Sequence, residues 1–291
     1  MDYQQLLLTL LPDLLVVVAL FAALGVDYSR LRGSRLPKRY EAACQISAAG
    51  LIAGLAVLVL QITGTMSVME STADGQLVLN TGTLTLKALL YAMGLGVLPL
   101  AKRDQITPQV SEYFALLLLA TLGMGFVVTS RNLLGAFVAL ELVSLSLYAM
   151  TVLNQARRAS AEAALKYLTF GAVSSGFLLF GLSYLYGATG QLDLTQMKGL
   201  QHSPLLVLAY LLIFVGLGFK LALAPFHLWA PDVYQNAPTP VAGWIGSGSK
   251  IAAAALLIAL LKPVSSTLKE ALIPALAALA VLSMVVGNLG A

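Results

Sequence analysis

Long apolar runs separated by short polar stretches make up most of the chain. Runs of about 20 apolar residues are typical of helices that cross a membrane, because the hydrocarbon core of a bilayer is about 30 Å thick. The pattern predicts nine spans, near residues 5–26, 41–62, 84–101, 112–129, 132–153, 163–187, 204–224, 239–261 and 271–289. We therefore expect an all-α polytopic membrane protein without a soluble domain between the spans.

Composition supports this fold class and removes several functions. Of the 291 residues, 59% are hydrophobic and 10% are charged, whereas about a quarter of an average soluble domain is charged. The net charge of +4 is small, and the basic residues form no patch of the kind that binds nucleic acid. The chain has two histidines and a single cysteine, Cys44, so a zinc, haem or iron–sulfur site is not expected.

The positions of lysine and arginine predict the orientation, because cytoplasmic loops carry an excess of both residues. With the N-terminus outside, the inner loops carry nine of them, namely Arg30, Arg32, Arg35, Lys38, Arg39, Lys102, Arg103, Arg157 and Arg158. The outer segments carry four, namely Arg131, Lys198, Lys262 and Lys269. This distribution favours an outside N-terminus and suits a bacterial plasma membrane.

Several charged residues have a simple explanation at the membrane surface. The basic stretch 30–40, "RLRGSRLPKRY", is interpreted as a topology anchor at anionic lipid headgroups. Asp193 and His202 lie in a turn-rich outer connection and are expected to be solvated. Lys87 lies near the outer end of the third span, where we expect its side chain to extend to the interface.

Prolines interrupt the apolar pattern after residue 219, in "FKLALAPFHLWAPD" and just beyond it. They are Pro225, Pro231, Pro238 and Pro240. Proline removes a backbone donor and clashes with the preceding turn, so the seventh span stops or breaks near Pro225. A break at membrane depth would need other groups to satisfy the freed backbone. The alternative is a span that ends at Ala224 and is followed by an inner loop, and the pattern leaves both open.

Charged residues also fall inside predicted spans, where each charge costs about 2.5–3.5 kcal/mol to insert. Glu141 is central in the fifth span and Lys250 is central in the eighth. Lys220 lies in the last turn of the seventh span, where a cation also gains from the helix dipole. The alternative for Lys220 is a side chain that extends to inner headgroups.

Three further residues admit two interpretations. Lys166 and Glu162 begin the sixth span four residues apart, so an interfacial salt bridge explains them without any function. His227 follows Pro225 and is either a proton relay or a hydrogen-bonded histidine in a turn.

A buried acid together with several buried lysines suits proton transfer better than substrate chemistry. Burial disfavours the charged form of both groups, which brings an acid and a lysine closer to exchanging protons near neutral pH. Such a pair titrates as a coupled unit. A change in the charge nearby can therefore move a proton on or off the lysine without a cofactor.

Four stretches resemble the antiporter-like, proton-translocating subunits of respiratory NADH:quinone oxidoreductase, complex I, and above all the subunit N family. They are "LLGAFVALELVSLSLYAM" (133–150), "AEAALKYLTFGAVSSGFLLFGLSYLYGATGQLDL" (161–194), "GLGFKLALAPFHLWAPDVYQNAPTPVAGWIGSGSKIAAA" (216–254) and "VLSMVVGNLGA" (281–291). Within the third, "PFHLWAPDVYQNAPTPV" is similar to subunit N rather than to its paralogues L and M. The resemblance covers about residues 112–291.

The resemblance implies roles for the residues singled out above. It implies a discontinuous seventh span that breaks at Pro225, with Lys220 as the central proton carrier and Glu141 as its partner. Lys166 matches the sixth-span lysine and Glu162 its acidic neighbour. His227 would link the central lysine onward, and Lys250 would lead toward the outer exit.

The family fold has fourteen helices, which include two inverted five-helix repeats. The resemblance therefore divides this chain into an N-terminal three-helix segment at 1–111, a first repeat at 112–262, and the start of a second repeat at 263–291. The remainder of the second repeat is absent from this sequence. We expect the sequence to be truncated from the longer family fold.

The function implied is that of a membrane-arm subunit, which carries protons while quinone is reduced elsewhere in the complex. NADH, FMN, iron–sulfur clusters and quinone would belong to partner subunits, with no cofactor and no metal in this chain. Its partners would be antiporter-like paralogues, small membrane subunits and the lipid bilayer. The rival functions are a subunit of a multi-subunit cation/proton antiporter and a structural membrane scaffold. A solute carrier lacks an evident substrate site.

Overall fold

The computed structural model describes residues 3–66, 76–153, 158–194, 196–197 and 200–289. Arg157 and Lys198, which contribute to the predicted orientation, lie outside the described residues. Within these ranges the helices are α1 (Tyr3–Val26), α2 (Leu36–Ile62), α3 (Thr81–Asp104), α4 (Val110–Thr129), α5 (Leu133–Val152), α6 (Arg158–Thr189), α7 (Pro204–Leu221), α8 (Ala230–Asn236), α9 (Thr239–Gly246), α10 (Gly248–Leu261) and α11 (Ser266–Leu289). A π-helical turn, Asp27–Leu31, extends α1.

The nine predicted spans are confirmed in the described part of the chain, where nine helical segments are long and apolar enough to cross a membrane. Helices α9 and α10 together form the eighth span and are interrupted at Ser247. The short helix α8 is the only one that belongs to no span among the described residues. The all-α, polytopic class follows from these segments, and the chain is an integral membrane protein.

Polar side chains fix where several spans begin. Asn80 accepts from the Thr83 backbone N–H while the Thr83 hydroxyl accepts from the Asn80 N–H, which forms a capping box at the start of α3. Asn132 caps α5 through the N–H groups of the first turn. Because the first N–H groups of a helix have no intrahelical acceptor, such caps stabilise the boundary between loop and span.

Isolated backbone bridges join the loops on one face of the membrane. They pair Leu77 with Ser130, Asn132 with Asp193, and Leu200 with Val264. We call this side, which holds residues 76–80, 130–132, 192–194 and 263–265, the bridged face. It contains the start of α3, the end of α4 and the end of α10, as alternating up-and-down spans require.

Two predictions about charged residues are wrong. Asp193 is not merely solvated, because its carboxylate lies 2.6 Å from the Arg131 Nε and its backbone is bridged to the loop before α5. Lys87 does not extend to the interface, because its side chain is fully buried and contacts Asp13 of α1. In both cases the partner comes from a distant part of the chain, which hydropathy along a single segment does not reveal. His202 is exposed, as expected.

Helix α4 forms the centre of the bundle, since 78% of its most apolar stretch is buried, against 56% for α5. It packs against α1, α2, α3, α5 and α10. Helices α6 and α7 also pack closely, because Gly181 faces the Ala209 backbone and Gly216 faces Leu178. Small residues at helix contacts allow such close approach in membranes, where van der Waals packing drives association.

We predict that Gly181→Ala lowers the thermal unfolding midpoint of the purified protein in detergent. A methyl group there would lie 2.8 Å from the Ala209 carbonyl oxygen, and overpacking costs about 1–3 kcal/mol. Gly176→Ala, on the same helix, is the matched control because nothing lies within 4 Å of its added methyl group. The control should keep or raise the midpoint, since alanine favours a helix over glycine by about 0.5–1 kcal/mol. Equal midpoints for both variants would contradict this packing.

Candidate functional site

Helix α7 ends at Leu221, inside the bundle. Ala222 adopts a left-handed conformation with φ of 56°, and the chain then turns until α8 begins at Ala230. The end of α7 and the turn after it contact residues within three other spans, which are Glu141 on α5, Lys250 on α10 and Ser283 on α11. The backbone is therefore interrupted at membrane depth, and the alternative of a span followed by a simple inner loop is wrong.

Protein groups satisfy the backbone at this interruption. The Leu221 carbonyl accepts from Lys250 Nζ at 2.8 Å, and the Phe219 carbonyl accepts from Trp229 Nε1 at 3.1 Å. Beyond the break, the Ala224 N–H donates to the Ser283 hydroxyl at 3.0 Å. A helix leaves its last carbonyls without intrahelical donors, and hydrocarbon supplies none. These side chains, together with the backbone N–H groups of Ala222 and Leu223 that bond to Phe219 and Gly218, satisfy the interruption within the membrane.

Lys220 lies in the last turn of α7 and faces α5. Its Nζ is 3.5 Å from Glu141 Oε1, and its side chain is 9% exposed against 26% for Glu141. It also donates to the Ser144 hydroxyl, which lies one turn after Glu141. Ser144 in turn donates to the Leu140 carbonyl and therefore presents a lone pair to the lysine.

Glu141 has a second partner on a third span. The Ser175 hydroxyl of α6 donates to Glu141 Oε1 at 2.6 Å. The separation of 3.5 Å between Glu141 and Lys220 exceeds the usual 2.7–2.9 Å of a close charge-assisted hydrogen bond. The carboxylate is therefore bound more closely to the serine than to the lysine, so the acid and the lysine form a loose pair.

Lys166 joins α6 to the short helix that follows the break. Its Nζ lies 2.8 Å from Glu162 and 2.8 Å from Asp232 of α8. The Ser160 hydroxyl donates to the Asn236 carbonyl and makes a second contact between the two elements. The interfacial pair with Glu162 is present, and Asp232 extends it to a bridge between helices that the sequence did not predict.

An aromatic cluster lies between Lys166 and Lys220 along α6 and α7. Tyr167 stacks on Trp229 with ring centroids 4.5 Å apart, and Tyr148 meets Tyr167 edge-on at 4.4 Å. No hydrogen bond or ion pair links Lys166 to Lys220 in the part of the chain that the structure describes. The structure therefore brings Glu141, Lys220 and Lys250 to the break and leaves Lys166 on the far side of these rings.

His227 lies in the turn between α7 and α8. Its ring is half-buried, and its Nδ1 is buried without a hydrogen-bond partner among the described residues. Lys250 follows the interruption at Ser247 and lies 6.0 Å from the Tyr234 ring. Burial raises the pKa of the Tyr234 phenol, which keeps it in the protonated, neutral form beside the lysine.

Sequence reasoning missed a second buried acid and lysine pair, Asp13 and Lys87. Asp13 is a single charge in the first apolar run, and its insertion into the membrane costs free energy just as that of Glu141 does. Lys87 and Tyr91 are four residues apart on α3, and both contact Asp13. The presence of one acid in the first span and one lysine in the third could have predicted the contact between Asp13 and Lys87.

A comparison of the sequence with models of protein families shows the family to which the chain belongs. The family model described as "NADH:quinone oxidoreductase/Mrp antiporter, TM" matches residues 130–291. This chain belongs to the NADH:quinone oxidoreductase/Mrp antiporter family. The matched range includes α5 to α11 and hence all of the interrupted site.

Relatives within this family confirm the resemblance to subunit N. NADH-quinone oxidoreductase subunit N 2 of Acidobacterium capsulatum is 43% identical over 310 residues, which cover 100% of this chain and 62% of the relative. A chain in respiratory complex I from Thermus thermophilus with bound aureothin has a TM-score of 0.77 and 34% identity, over 96% of this chain and 58% of that one. This member of the family therefore spans less than two thirds of the length of either protein.

The other branch of the family shares the fold. A chain in the Mrp complex from Dietzia sp. DQ12-45-1b has a TM-score of 0.68 and 21% identity, over 90% of this chain and 49% of that one. At this identity the likeness shows the fold alone.

The bridge between Lys166 and Asp232 gives a structural prediction. Asp232→Asn should increase amide hydrogen exchange in α8, because the helix loses its ion pair to α6. The two carboxylates and the lysine are largely exposed, so water screens the pair and the local exchange rate should rise only a few-fold. Glu162→Gln is the matched control, since Glu162 lies on the same helix as Lys166. Unchanged exchange in α8 for Asp232→Asn would contradict this role.

Proposed function

We propose that this chain is a membrane-arm, N-type subunit of a proton-pumping NADH:quinone oxidoreductase. Membership of the family and the relatives named subunit N support this assignment. Protons would pass through Glu141, Lys220 and Lys250 with help from Lys166 and His227. The chain would act within a translocating enzyme and carry out no redox chemistry itself.

The loose pair at the interrupted helix is the observation that carries the proposal. Lys220 lies at the broken end of α7 and is 3.5 Å from Glu141, which also accepts from Ser175. Because Ser175 remains as a donor to the acid, the carboxylate keeps a partner when the lysine changes charge. Ser144 likewise gives the lysine a neutral partner. The pair can therefore exist in more than one protonation state without leaving both groups unsatisfied.

Lys250 extends this network toward the eighth span. It donates to the Leu221 carbonyl, which belongs to the residue directly after Lys220. This hydrogen bond holds the Lys250 ammonium near the end of α7. Because charges are poorly screened inside the protein, a change in the charge of Lys220 alters the electrostatic energy of Lys250. We propose that this arrangement passes a proton between the two lysines through confined water.

The setting of the subunit is part of the same proposal. We place it in a bacterial plasma membrane with its N-terminus outside, which makes the bridged face the outer one. Antiporter-like and small membrane subunits would surround it within the lipid bilayer. NADH, FMN, iron–sulfur clusters and quinone would be held by other subunits of the complex.

We predict that Lys220→Met abolishes proton uptake and slows NADH:quinone reduction in sealed inverted vesicles that contain the assembled complex. Methionine keeps the length of the apolar stem and removes the group that takes up and releases the proton. Both activities are followed together, and a native gel verifies assembly. The rate of proton uptake should fall at least tenfold relative to the wild type. This corresponds to an increase of about 1.4 kcal/mol or more in the activation free energy of uptake.

Lys269→Met is the matched control, because Lys269 is an exposed lysine in the first turn of α11. It should pump like the wild type. If Lys220→Met also pumps and turns over normally in an assembled complex, Lys220 lies outside the proton route. The structural scaffold then becomes the better explanation of the buried charges.

A cation/proton antiporter subunit is the second candidate, because the matching family also includes Mrp antiporters. The two functions differ in what drives the protons. Proton movement that needs NADH supports the oxidoreductase, whereas movement driven by a sodium gradient without NADH supports the antiporter. The neighbouring genes give an independent test, because flavoprotein and iron–sulfur subunits accompany only the oxidoreductase.

A further inference from the structure

A second polar cluster lies among the first three spans, apart from the interrupted helix. Lys87 Nζ is 2.6 Å from Asp13 Oδ2, and the Tyr91 hydroxyl donates to Asp13 Oδ1 at 2.7 Å. The exposed fractions are 3% for Asp13, 1% for Lys87 and 0% for Tyr91. The cluster therefore joins α1 to α3 through groups that are fully enclosed by the protein.

Packing alone is a poor explanation of these residues. Each charge in a span costs about 2.5–3.5 kcal/mol to insert, and apolar side chains of similar volume often replace a buried ion pair without loss of stability. The surrounding helices present small or aromatic groups, with Gly54 of α2 against Tyr91 and Gly125 of α4 against Lys87. An ionisable group inside a membrane therefore calls for a functional explanation.

The hydrogen bonds of the cluster fit two positions of one proton. In the ion pair, Lys87 donates to Oδ2 and Tyr91 donates to Oδ1. In the neutral pair, the proton lies on Oδ2 and is donated to the Lys87 nitrogen, while the Tyr91 bond is unchanged. The same heavy-atom geometry serves both forms. Among the described residues, Asp13 is the single hydrogen-bond acceptor for the three N–H groups of the Lys87 ammonium.

We propose that Asp13, Lys87 and Tyr91 form a second proton-holding site in this chain. When the site takes up a proton from water, the Asp13 carboxylate becomes a carboxylic acid while Lys87 keeps its charge and its bond to Oδ2. The Tyr91 hydroxyl then turns and accepts the new O–H on Oδ1, at the heavy-atom distance that the structure shows. Release returns the proton to water and restores the carboxylate. The use of this proton in pumping rests on the proposed function, whereas the protonation of the site does not.

An open cavity lies near the cluster on the bridged face. Thr83 lies one helical turn before Lys87 on α3 and, with Val128 of α4, lines an open cavity on that face. The Phe126 ring lies 5.3 Å from Lys87 Nζ, between the cluster and this end of α4. No ion pair or hydrogen bond links the cluster to another charged side chain in the described ranges. Its protonation therefore depends mainly on its own three groups.

Infrared difference spectroscopy during a pH change tests the site in the purified, lipid-reconstituted complex that contains the full chain. The wild type should show a carboxyl C=O stretch that appears as the pH falls. Asp13→Asn should lose this band. Tyr91→Phe keeps the acid but removes the hydrogen bond to Oδ1, so the band should shift to higher frequency. Tyr210→Phe is the matched control, since Tyr210 is a buried tyrosine that donates to a backbone carbonyl, and its spectrum should match the wild type.

A second variant tests the site even if the single substitution prevents assembly of the complex. If Asp13→Asn fails to assemble, the double variant Asp13→Leu/Lys87→Met removes both charges together and should assemble without the band. The proposal is overturned if the spectra of Tyr91→Phe and the double variant superimpose on the wild type across the pH range in which the complex remains assembled. The infrared measurement does not depend on proton pumping. If Lys220→Met pumps normally, the proposed function is rejected, but the infrared result for Asp13 still stands.

Discussion

The need to satisfy backbone groups inside a membrane governs the architecture of this chain. Helix α7 stops at Leu221 while its neighbours continue, and hydrocarbon supplies no hydrogen-bond donor to its last carbonyls. Lys250 and Trp229 supply donors to them, and Ser283 accepts from the backbone beyond the break. Through these contacts α10, the turn after α7 and α11 all pack against the broken end of α7. The interruption therefore organises the second half of the structure instead of weakening it.

The same interruption explains why charges are tolerated at this depth. A cation at a helix C-terminus gains about 0.3–1 kcal/mol from the dipole, which is less than the cost of about 2.5–3.5 kcal/mol for inserting it. The dipole alone does not stabilise Lys220, so Glu141 and Ser144 are required as partners. Glu141 in turn relies on Ser175. Stability of the charges thus depends on three spans meeting at the broken end.

The sequence predicted what local pattern determines and missed what distant contacts determine. Apolar run length predicted all nine spans, because the bilayer sets that length. The prolines predicted that α7 stops, but an ending and a break share the same local signal; contacts with other spans distinguish them. Lys87 was misassigned because its partner, Asp13, lies 74 residues away in sequence. The interruption at Ser247 was not predicted, since glycine and serine in "GSGS" also occur within continuous transmembrane helices.

Helix α4 separates the two acid and lysine pairs of this chain. Gly125 faces Lys87, whereas its neighbour Met124 faces Gly248 at the start of α10, two residues before Lys250. Helix α4 therefore packs against the helices of the Asp13 and Lys87 pair and against α10, which carries Lys250. Proton transfer needs a continuous series of hydrogen-bonding groups, and among the described residues no hydrogen bond joins the two sites. Without such a link, the proposed site at Asp13 would take up and release its proton independently of the pair of Glu141 and Lys220.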